Sequence, residues 1–212
     1  MSLYAVVPVQ RLETAKSRLA SVLSPQERGD LVLTLFDNVM TALTGSDAVN
    51  GIVVVSPDPH VLEVARRWDA ERVEQLGTGL NAAIRLGRDQ AVAIGAESIL
   101  IVLADLPGVA TADVDRMVEL SRDAPVTFAP DRHGRGTNAM ILRPPHAIEP
   151  SFGVDSLLKH RREAQRLGVS AHTFESTGTA FDVDTIDDLV DLGWLDPVTH
   201  DRHIPADKAT AQ

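Results

Sequence analysis

The stretch that decides the fold is Ser98-Ile-Leu-Ile-Val-Leu-Ala-Asp105-Leu-Pro107. Its nearly continuous apolar run is typical of a strand buried on both faces, as in the centre of a parallel sheet, with Pro107 ending it. Ligands bind to open α/β sheets at the carboxyl ends of their strands, and this strand runs into a carboxylate there. Asp105 is therefore a candidate metal ligand. A purely structural role at the start of a turn explains an aspartate at this position equally well.

Strand and helix patterns alternate on both sides of this stretch. Further strands are predicted at Leu3–Val9, Gly51–Ser56, Glu71–Val73, Val126–Ala129, Ala139–Leu142 and Ser170–Phe174. Helices are predicted to start near Pro25, Asp58, Gly79, Thr111, Asp155 and Thr185, with Thr111 and Thr185 as N-caps. This alternation is the pattern of right-handed βαβ crossovers, and it predicts an α/β protein with three layers and a mostly parallel sheet.

Length and composition limit the class of protein. With 212 residues, 44% of them hydrophobic, one domain over residues 1–195 is expected, followed by a polar tail over residues 196–212. The absence of cysteine excludes disulfides and thiolate chemistry. The N-terminus lacks a signal-peptide pattern, and no apolar run is long enough to span a membrane, so a cytoplasmic protein is expected. A net charge of −10 argues against nucleic-acid binding and means that an anionic ligand needs a local positive patch.

The segment Gln10 to Leu19 follows the first strand, where α/β nucleotide-binding folds place their phosphate loop. Lys16 and Arg18 supply the charge that a triphosphate needs. The segment is neither a Walker A loop nor a GxGxxG fingerprint, and on its own it is better explained as the solvated start of a basic helix.

Asp105, Asp182 and Asp184 form a second candidate group. These carboxylates converge if the strand order places the Phe181–Asp184 segment beside the central strand. A site with oxygen ligands alone suits Mg²⁺ or Mn²⁺ better than zinc. Acidic residues further on, at the start of the last helix, need no function because they complement the helix dipole.

A third candidate group consists of the Arg132–Asn138 loop and the Phe152–Ser156 segment. Glycines there permit close backbone approach to a ligand, and hydroxyls near a helix start bind phosphate or carboxylate. Turn formation and N-capping explain Thr137 and Ser156 equally well. His133, His160 and His172 are expected at the surface, and the sequence shows no arrangement typical of covalent catalysis.

The chain resembles the guanylyltransferases that make the deazaflavin coenzyme F-420, a family of 2-phospho-L-lactate guanylyltransferases and their phosphoenolpyruvate-using relatives. The resemblance covers roughly residues 3–193 in the family's order and spacing. It is carried by Pro8-Val9, Ala15-Lys16-Ser17-Arg18-Leu19, Leu80-Asn81-Ala82-Ala83, Asp105-Leu106-Pro107, Gly136-Thr137, Phe152-Gly153, Asp155-Ser156 and Phe181-Asp182-Val183-Asp184-Thr185.

The resemblance implies a fold like that of nucleotide-diphospho-sugar transferases and a set of functional residues. The implied catalytic residues are Lys16, Arg18 and Asp105. GTP is implied to bind at Pro8, Val9, Lys16, Arg18, Gly79, Asn81, Ala83 and Asp105. A magnesium or manganese ion is implied at Asp105, Asp182 and Asp184, and a small phosphorylated carboxylic acid at Thr137, Gly153 and Ser156.

The implied reaction transfers GMP from GTP to 2-phospho-L-lactate and releases pyrophosphate, giving lactyl-2-diphospho-5'-guanosine. Phosphoenolpyruvate is the alternative acceptor; a sugar phosphate or a molybdopterin would make the protein a different nucleotidyltransferase. A non-catalytic nucleotide-binding module is a further alternative, and a homodimer is expected. Gln10 stands where a lysine is expected in relatives, which removes one implied phosphate contact, and Ala104 is a second departure.

Overall fold

A seven-stranded sheet forms the centre of the computed structural model, which describes residues 2–199 and 201–205. The strands are β1 (Leu3–Pro8), β2 (Gly51–Ser56), β3 (Glu71–Glu74), β4 (Ser98–Val102), β5 (Val126–Pro130), β6 (Thr137–Leu142) and β7 (Ala171–Thr173). Their spatial order is β3-β2-β1-β4-β6-β5-β7. The strands β1 to β4 pair in parallel, as β5 and β7 do, whereas β6 runs antiparallel to both of its neighbours.

Helices cover both faces of the sheet. They are α1 (Pro25–Thr44), α2 (Pro59–Ala65), α3 (Leu80–Ala93), α4 (Thr111–Leu120), α5 (Ser156–Leu167), α6 (Thr177–Ala180) and α7 (Ile186–Asp191). The apolar faces of α1, α2 and α4 share one core cluster, and those of α3 and α5 share the cluster on the opposite face. The predicted three-layer α/β/α architecture with a mostly parallel sheet is confirmed.

The central strands are apolar on both faces because each contributes alternate side chains to the two core clusters. In β1, Ala5 and Val7 enter the cluster with α1, and Val6 enters the cluster with α3. In β4, Leu100 enters the cluster with α1 and Ile101 enters the cluster with α3. Strands buried on both faces lack the polar alternation of a surface strand, which explains the continuous apolar runs in the sequence.

A third apolar cluster joins the end of the first loop, α1 and α7. Leu19, Leu31 and Leu189 are fully buried in it, and Ile204 packs against it from the tail. The tail is also held by an ion pair between Arg202 and Glu27. The prediction of a polar tail over residues 196–212 extends to His200 and residues 206–212, which lie outside the described residues.

The structure corrects two local predictions. The strand β4 ends at Val102, so Pro107 does not terminate it, and Asp105 lies in the turn that follows. The N-cap of α4 is Ala110 rather than Thr111, because Asp113 Oδ2 accepts the Ala110 N–H at 3.1 Å and does the capping from within the helix. No helix within the described residues is both long enough and apolar enough to cross a bilayer.

Candidate active site

A single edge of the sheet carries the loops that form the site. The carboxyl ends of β3, β2, β1 and β4 lie side by side there, because these strands are parallel neighbours. The loops that follow them therefore line up in the same order. The Gln75–Gly79 loop stands at one end of the row, Gln10–Lys16 near the middle and Leu103–Asp105 at the other end.

These loops enclose a cavity of about 550 Å³, within the range of roughly 300–1,000 Å³ that is typical of small-molecule sites. Its lining residues are Pro8, Val9, Gln10, Arg11, Thr14, Lys16, Val32, Leu35, Pro57, Gln75, Leu76, Gly77, Thr78, Gly79, Leu80, Ala83, Leu103, Ala104 and Asp105. A smaller cavity of about 200 Å³ shares Gln10, Thr14 and Lys16 with it and adds Ser17, Arg18 and Asp184.

Lys16, which lines both cavities, is held in place by its own backbone and by a neighbouring arginine. Its φ of 48° and ψ of 40° place it in the left-handed region, between two short 3-10 turns. The buried guanidinium of Arg28 donates to the carbonyl of Ala15 at 3.1 Å and fixes the chain just before Lys16. A left-handed non-glycine residue is costly, so the surrounding contacts must hold it in place.

The ammonium group of Lys16 lies between two carboxylates. Its Nζ donates to Asp105 Oδ2 at 2.7 Å and to Asp184 Oδ1 at 2.9 Å, and its side chain is only 4% exposed. Burial alone would lower the pKa of Lys16, but the two carboxylates outweigh it and raise that pKa above its usual range. Arg18 is an exposed partner of the same Asp184, at 3.5 Å.

Asp105, Asp182 and Asp184 form an acidic cluster, with one carboxylate oxygen of each within 4.8 Å of the others. Burial, reinforced by repulsion from the other two carboxylates, raises the pKa of Asp182 to about 6. Oδ1 of Asp105 is buried and has no hydrogen-bond partner within the described part of the chain. The cluster therefore has an unused buried oxygen and more negative charge than Lys16 neutralises.

The segment that carries Asp182 and Asp184 is fastened to the end of the central strand. Val183 N donates to the carbonyl of Asp105 at 3.2 Å, so the acidic residues on either side of Val183 flank Asp105. Asn138, in β6, donates through Nδ2 to the carbonyl of Thr179 at 3.0 Å and to Asp182 Oδ1 at 3.4 Å. The antiparallel strand β6 thus holds the acidic segment beside β4.

Asp188 holds the other side of this segment. Its Oδ2 accepts the backbone N–H groups of Asp184 at 2.7 Å and of Thr185 at 2.6 Å, and its Oδ1 is paired with Arg132. Burial acts to raise the pKa of Asp188, but these backbone bonds and the charge of Arg132 lower it below its usual range. The guanidinium of Arg132 also lies 4.4 Å from the ring of Phe181.

The cavity wall formed by the start of α3 depends on a glycine. Gly79 has a φ of 98°, which side-chain-bearing residues rarely adopt, and its carbonyl accepts from Gln75 Nε2 at 3.0 Å. Asn81, two residues on, does not line the cavity. Its Oδ1 accepts the Phe152 N–H at 2.7 Å and its Nδ2 donates to the Phe152 carbonyl at 3.0 Å.

Thr137, Gly153 and Ser156 lie near Phe152, which Asn81 holds. Thr137 and Ser156 are buried, whereas Gly153 is exposed with a φ of 112°. The carbonyl of Gly153 accepts the Ser156 N–H at 3.0 Å. Beneath them lies His160, which is wholly buried between the rings of Phe128 and Phe152, so the prediction that His160 is a surface residue is wrong.

The structure thus brings most of the predicted functional residues to one edge of the sheet. Of the residues implied to bind nucleotide, Pro8, Val9, Lys16, Gly79, Ala83 and Asp105 line the large cavity. Arg18 lines only the smaller one, and Asn81 lines neither. Thr137, Gly153 and Ser156 also line neither cavity and form a neighbouring group.

Sequence reasoning missed residues that shape the site from outside the motifs. The Gln75–Gly79 loop closes one end of the large cavity, and of its residues only Gly79 was singled out, although Gly77 and Gly79 together were a usable signal for a ligand loop. His160 gave no such signal, because it stands in the polar run Lys159-His-Arg-Arg162. Asn138 lay within a candidate loop and Asp188 completes a local capping box with Thr185. The contacts of Asn138 with Thr179 and of Asp188 with Arg132 could not be predicted, because they join segments distant in sequence.

Solved structures show which fold the chain has. The structure superposes on a nucleotidyl transferase from Methanothermobacter with a TM-score of 0.69 at 19% identity, covering 90% of this chain and 95% of that one. It superposes on a Desulfovibrio desulfuricans protein classed with nucleotide-diphospho-sugar transferases with a TM-score of 0.75 at 17% identity, covering 91% and 87%. The fold is therefore that of the nucleotidyltransferases.

Sequence comparison then places the chain in one family. The family model for CofC-like guanylyl transferases matches residues 3–199, so the protein belongs to this family of guanylyltransferases. The phosphoenolpyruvate guanylyltransferase of Sphaerobacter thermophilus is 50% identical, covering 93% of this chain and 96% of the relative. The 2-phospho-L-lactate guanylyltransferase of Methanocaldococcus fervens is 32% identical, covering 88% and 83%.

Proposed function

We propose that the protein transfers GMP from GTP to a small phosphorylated carboxylic acid, either phosphoenolpyruvate or 2-phospho-L-lactate, as a step in the synthesis of coenzyme F-420. The single observation that carries the proposal is the placement of Lys16 against Asp105 and Asp184 at the edge of a cavity of nucleotide size. Family membership supports the guanylyl group as the one transferred.

The sheet order supports one orientation of GTP in the cavity. The phosphates are proposed to lie at the end near β1 and β4, where Lys16 lines both cavities and Arg18 the smaller one. The nucleoside is proposed to lie toward the Gln75–Gly79 loop, where the apolar side chain of Leu76 is 89% exposed. In a chain with a net charge of −10, the positive charges that line these cavities are those of Arg11, Lys16 and Arg18. A cation on the acidic cluster would offset the carboxylates with which Lys16 now pairs.

Asp105, Asp182 and Asp184 are proposed to hold Mg²⁺ or Mn²⁺. Three carboxylates with an unpartnered buried oxygen fit a hard divalent cation, which prefers oxygen ligands. When bound, such a cation acts as a Lewis acid toward phosphate oxygens. Lys16 now occupies the space between two of these carboxylates, so the charge that the cluster needs is partly supplied by the chain itself.

The proposed reaction is an in-line displacement at the α-phosphorus of GTP. A phosphate oxygen of the acceptor forms a bond to that phosphorus, and the bond to the oxygen bridging the α- and β-phosphates breaks, so pyrophosphate leaves with the electron pair. A phosphomonoester is largely ionised at neutral pH, so the acceptor needs no general base. Catalysis then consists of alignment and of charge neutralisation by groups such as Lys16.

The acceptor is proposed to bind at Thr137, Gly153 and Ser156, beside the start of α5. A helix start and an exposed glycine backbone suit a ligand that carries both a phosphate and a carboxylate. The two candidate acceptors share these groups. The more similar of the two relatives is named for phosphoenolpyruvate, which supports testing that acceptor first.

A pyrophosphate-release assay tests the proposal. The protein is incubated with Mg²⁺, one of the four nucleoside triphosphates and one of the two acceptors. We expect release that requires GTP and one acceptor together. Absence of release with both acceptors, or equal release with ATP or CTP, would contradict the proposal. The homodimer and the cytoplasmic location stay predictions, and light scattering after gel filtration tests the first of them.

A further inference from the structure

The structure contains a buried histidine that no step of the proposed reaction uses. His160 lies in the first turns of α5, is wholly buried and uses both of its ring nitrogens. Nε2 lies 2.8 Å from the backbone nitrogen of Ser151, and Nδ1 lies 3.0 Å from Oγ1 of Thr137. One ring therefore contacts both the loop that leads to Gly153 and the hydroxyl of Thr137.

The hydrogen bonds of His160 fix its protonation state and its tautomer. Since a backbone N–H can only donate, Nε2 must be an acceptor and carries no proton. The ring is therefore neutral, its proton is on Nδ1, and Nδ1–H donates to Thr137 Oγ1. Burial, together with the nearby charge of Lys159, lowers the pKa of His160 to about 4, which agrees with a neutral ring.

This tautomer also orients the hydroxyl of Thr137. Its oxygen accepts from His160, so its own proton points elsewhere. Within residues 2–199 and 201–205 the hydrogen bonds include no acceptor for that proton. The hydroxyl is thus presented as a donor, which is the role that an anionic ligand would require of it.

The loop held by His160 is fastened on its other side to the nucleotide cavity. Phe152, which follows Ser151, exchanges two hydrogen bonds with the side chain of Asn81 near the start of α3. Residues Gly79 and Ala83 of this helix start line the large cavity. Hydrogen bonds therefore connect Thr137 to His160, His160 to Ser151, and the adjoining Phe152 to Asn81, which lies on the same helix start as the cavity-lining Gly79 and Ala83.

We infer that His160 is a positioning residue, which orients the Thr137 hydroxyl and holds the Ser151–Gly153 loop so that the acceptor is aligned with the nucleotide. The inference rests on the proposed function, because it assumes that Thr137 and Gly153 bind the acceptor. It goes beyond that function by assigning a role to a residue that does not itself touch either substrate.

Two substitutions separate the two contacts of the ring. In His160→Asn the side-chain amide reaches the position of Nδ1 and leaves Ser151 without an acceptor. In His160→Gln the amide oxygen reaches the position of Nε2 and leaves Thr137 without its donor. His172→Gln is the matched control, since His172 lies on the edge strand β7 with Nδ1 3.2 Å from the carbonyl of Leu120.

The first readout is kinetic and is taken where each variant is fully folded. We expect His160→Gln to raise the KM for the acceptor about tenfold, the cost of one lost oriented hydrogen bond, and the KM for GTP less than twofold. In a Thr137→Val background the same substitution should have no further effect on the acceptor KM, because both act through one hydrogen bond. Equal changes in both KM values, or effects that multiply in the double variant, would overturn the inference.

The second readout does not depend on activity. Amide hydrogen exchange of Ser151 and Phe152, followed by NMR, should be slow in the wild type and in His160→Gln, and at least tenfold faster at Ser151 in His160→Asn. Unchanged exchange in His160→Asn would overturn the inference even if the enzyme is active. If the wild type uses neither acceptor, the proposed function fails, and the exchange data still decide whether His160 holds the loop.

Discussion

The Nζ of Lys16 lies 2.7 Å from Oδ2 of Asp105, and this ion pair joins the loop after the first strand to the loop after the central strand. These two loops are 89 residues apart in sequence. The pair places a buried positive charge at the point where the sheet edge, the large cavity and the acidic cluster meet. Lys16 and a divalent cation would bind overlapping sets of carboxylate oxygens.

Replacing Lys16 by methionine should therefore change both stability and metal binding. We expect Lys16→Met to lower the free energy of unfolding by roughly 1–3 kcal/mol without metal, because two partly exposed carboxylates lose their hydrogen-bonded partner. Mg²⁺ should stabilise the variant more than it stabilises the wild type, since the ammonium no longer competes for the same oxygens. Thermal unfolding with and without Mg²⁺ measures both effects.

Arg18→Met is the control, because Arg18 is 71% exposed and its pair with Asp184 spans 3.5 Å. An exposed pair of this kind contributes little, about 0–1 kcal/mol. If Mg²⁺ stabilises Lys16→Met no more than it stabilises the wild type, the Lys16 ammonium and the metal ion do not compete for the same carboxylate oxygens.

Asp105 is the carboxylate whose loss should damage catalysis most. Asp105→Asn keeps the shape of the side chain but removes a charge from the cluster, and we expect kcat to fall on the order of 100-fold or more with little change in far-UV circular dichroism. The control is Asp187→Asn, since Asp187 is exposed at the start of α7. A fully active Asp105→Asn variant would remove Asp105 from the proposed metal site.

His160 should make stability depend on pH. Its pKa is about 4 in the folded chain and 6.5 in a solvated one, so below pH 6.5 the unfolded chain binds a proton that the folded chain does not. The free energy of unfolding should therefore fall as the pH decreases from about 6.5 to about 4, by up to roughly 3 kcal/mol from this group. Urea unfolding from pH 4 to pH 8 measures the change.

The comparison with His160→Gln isolates this effect, because Asp182, whose pKa is raised, is present in both proteins. The variant should have the flatter dependence between pH 4 and pH 6.5. Parallel curves for the two proteins would mean that His160 is not held neutral in the folded state.

The sequence predicted the layers of the fold because they follow from burial alone. A strand such as β1 must be apolar on both faces when Ala5 and Val6 enter different cores, and this pattern is visible without any knowledge of the neighbouring strands. The predicted helix start near Pro25 was equally local, since Ser24 accepts the Glu27 N–H at 3.3 Å within one helical turn.

The sequence could not establish which distant segments meet. The approach of Asp182 and Asp184 to Asp105 depends on contacts formed across the end of the sheet, such as the bond between Val183 N and the Asp105 carbonyl. The sequence alone could say only that the three carboxylates converge if the strand order places the Phe181–Asp184 segment beside the central strand. The burial of His160 depends in the same way on Phe128, which lies on a separate strand, and on Phe152 in the loop before α5; the rings of these two residues enclose it.

Ser156 distinguishes an acceptor site from a nucleotide site. The residue is buried at the start of α5, and Ser156→Ala keeps its backbone bond to Gly153 while removing the hydroxyl. We expect the KM for the acceptor to rise about three- to tenfold, and that for GTP to rise less. Steady-state kinetics with each substrate varied in turn measures the ratio, with Ser170→Ala as the exposed control. The opposite ranking would move Ser156 to the nucleotide site.

Phosphorus NMR of a single reaction mixture tests the central claim most directly, because it shows which phosphorus is attacked. With GTP, Mg²⁺ and phosphoenolpyruvate or 2-phospho-L-lactate, we predict that the acceptor's phosphomonoester signal is replaced by two coupled signals of an unsymmetrical diphosphate, together with one equivalent of pyrophosphate. An unchanged acceptor signal for both compounds, or conversion of GTP to GDP and orthophosphate, would contradict guanylyl transfer at the site formed by Lys16 and the Asp105 cluster.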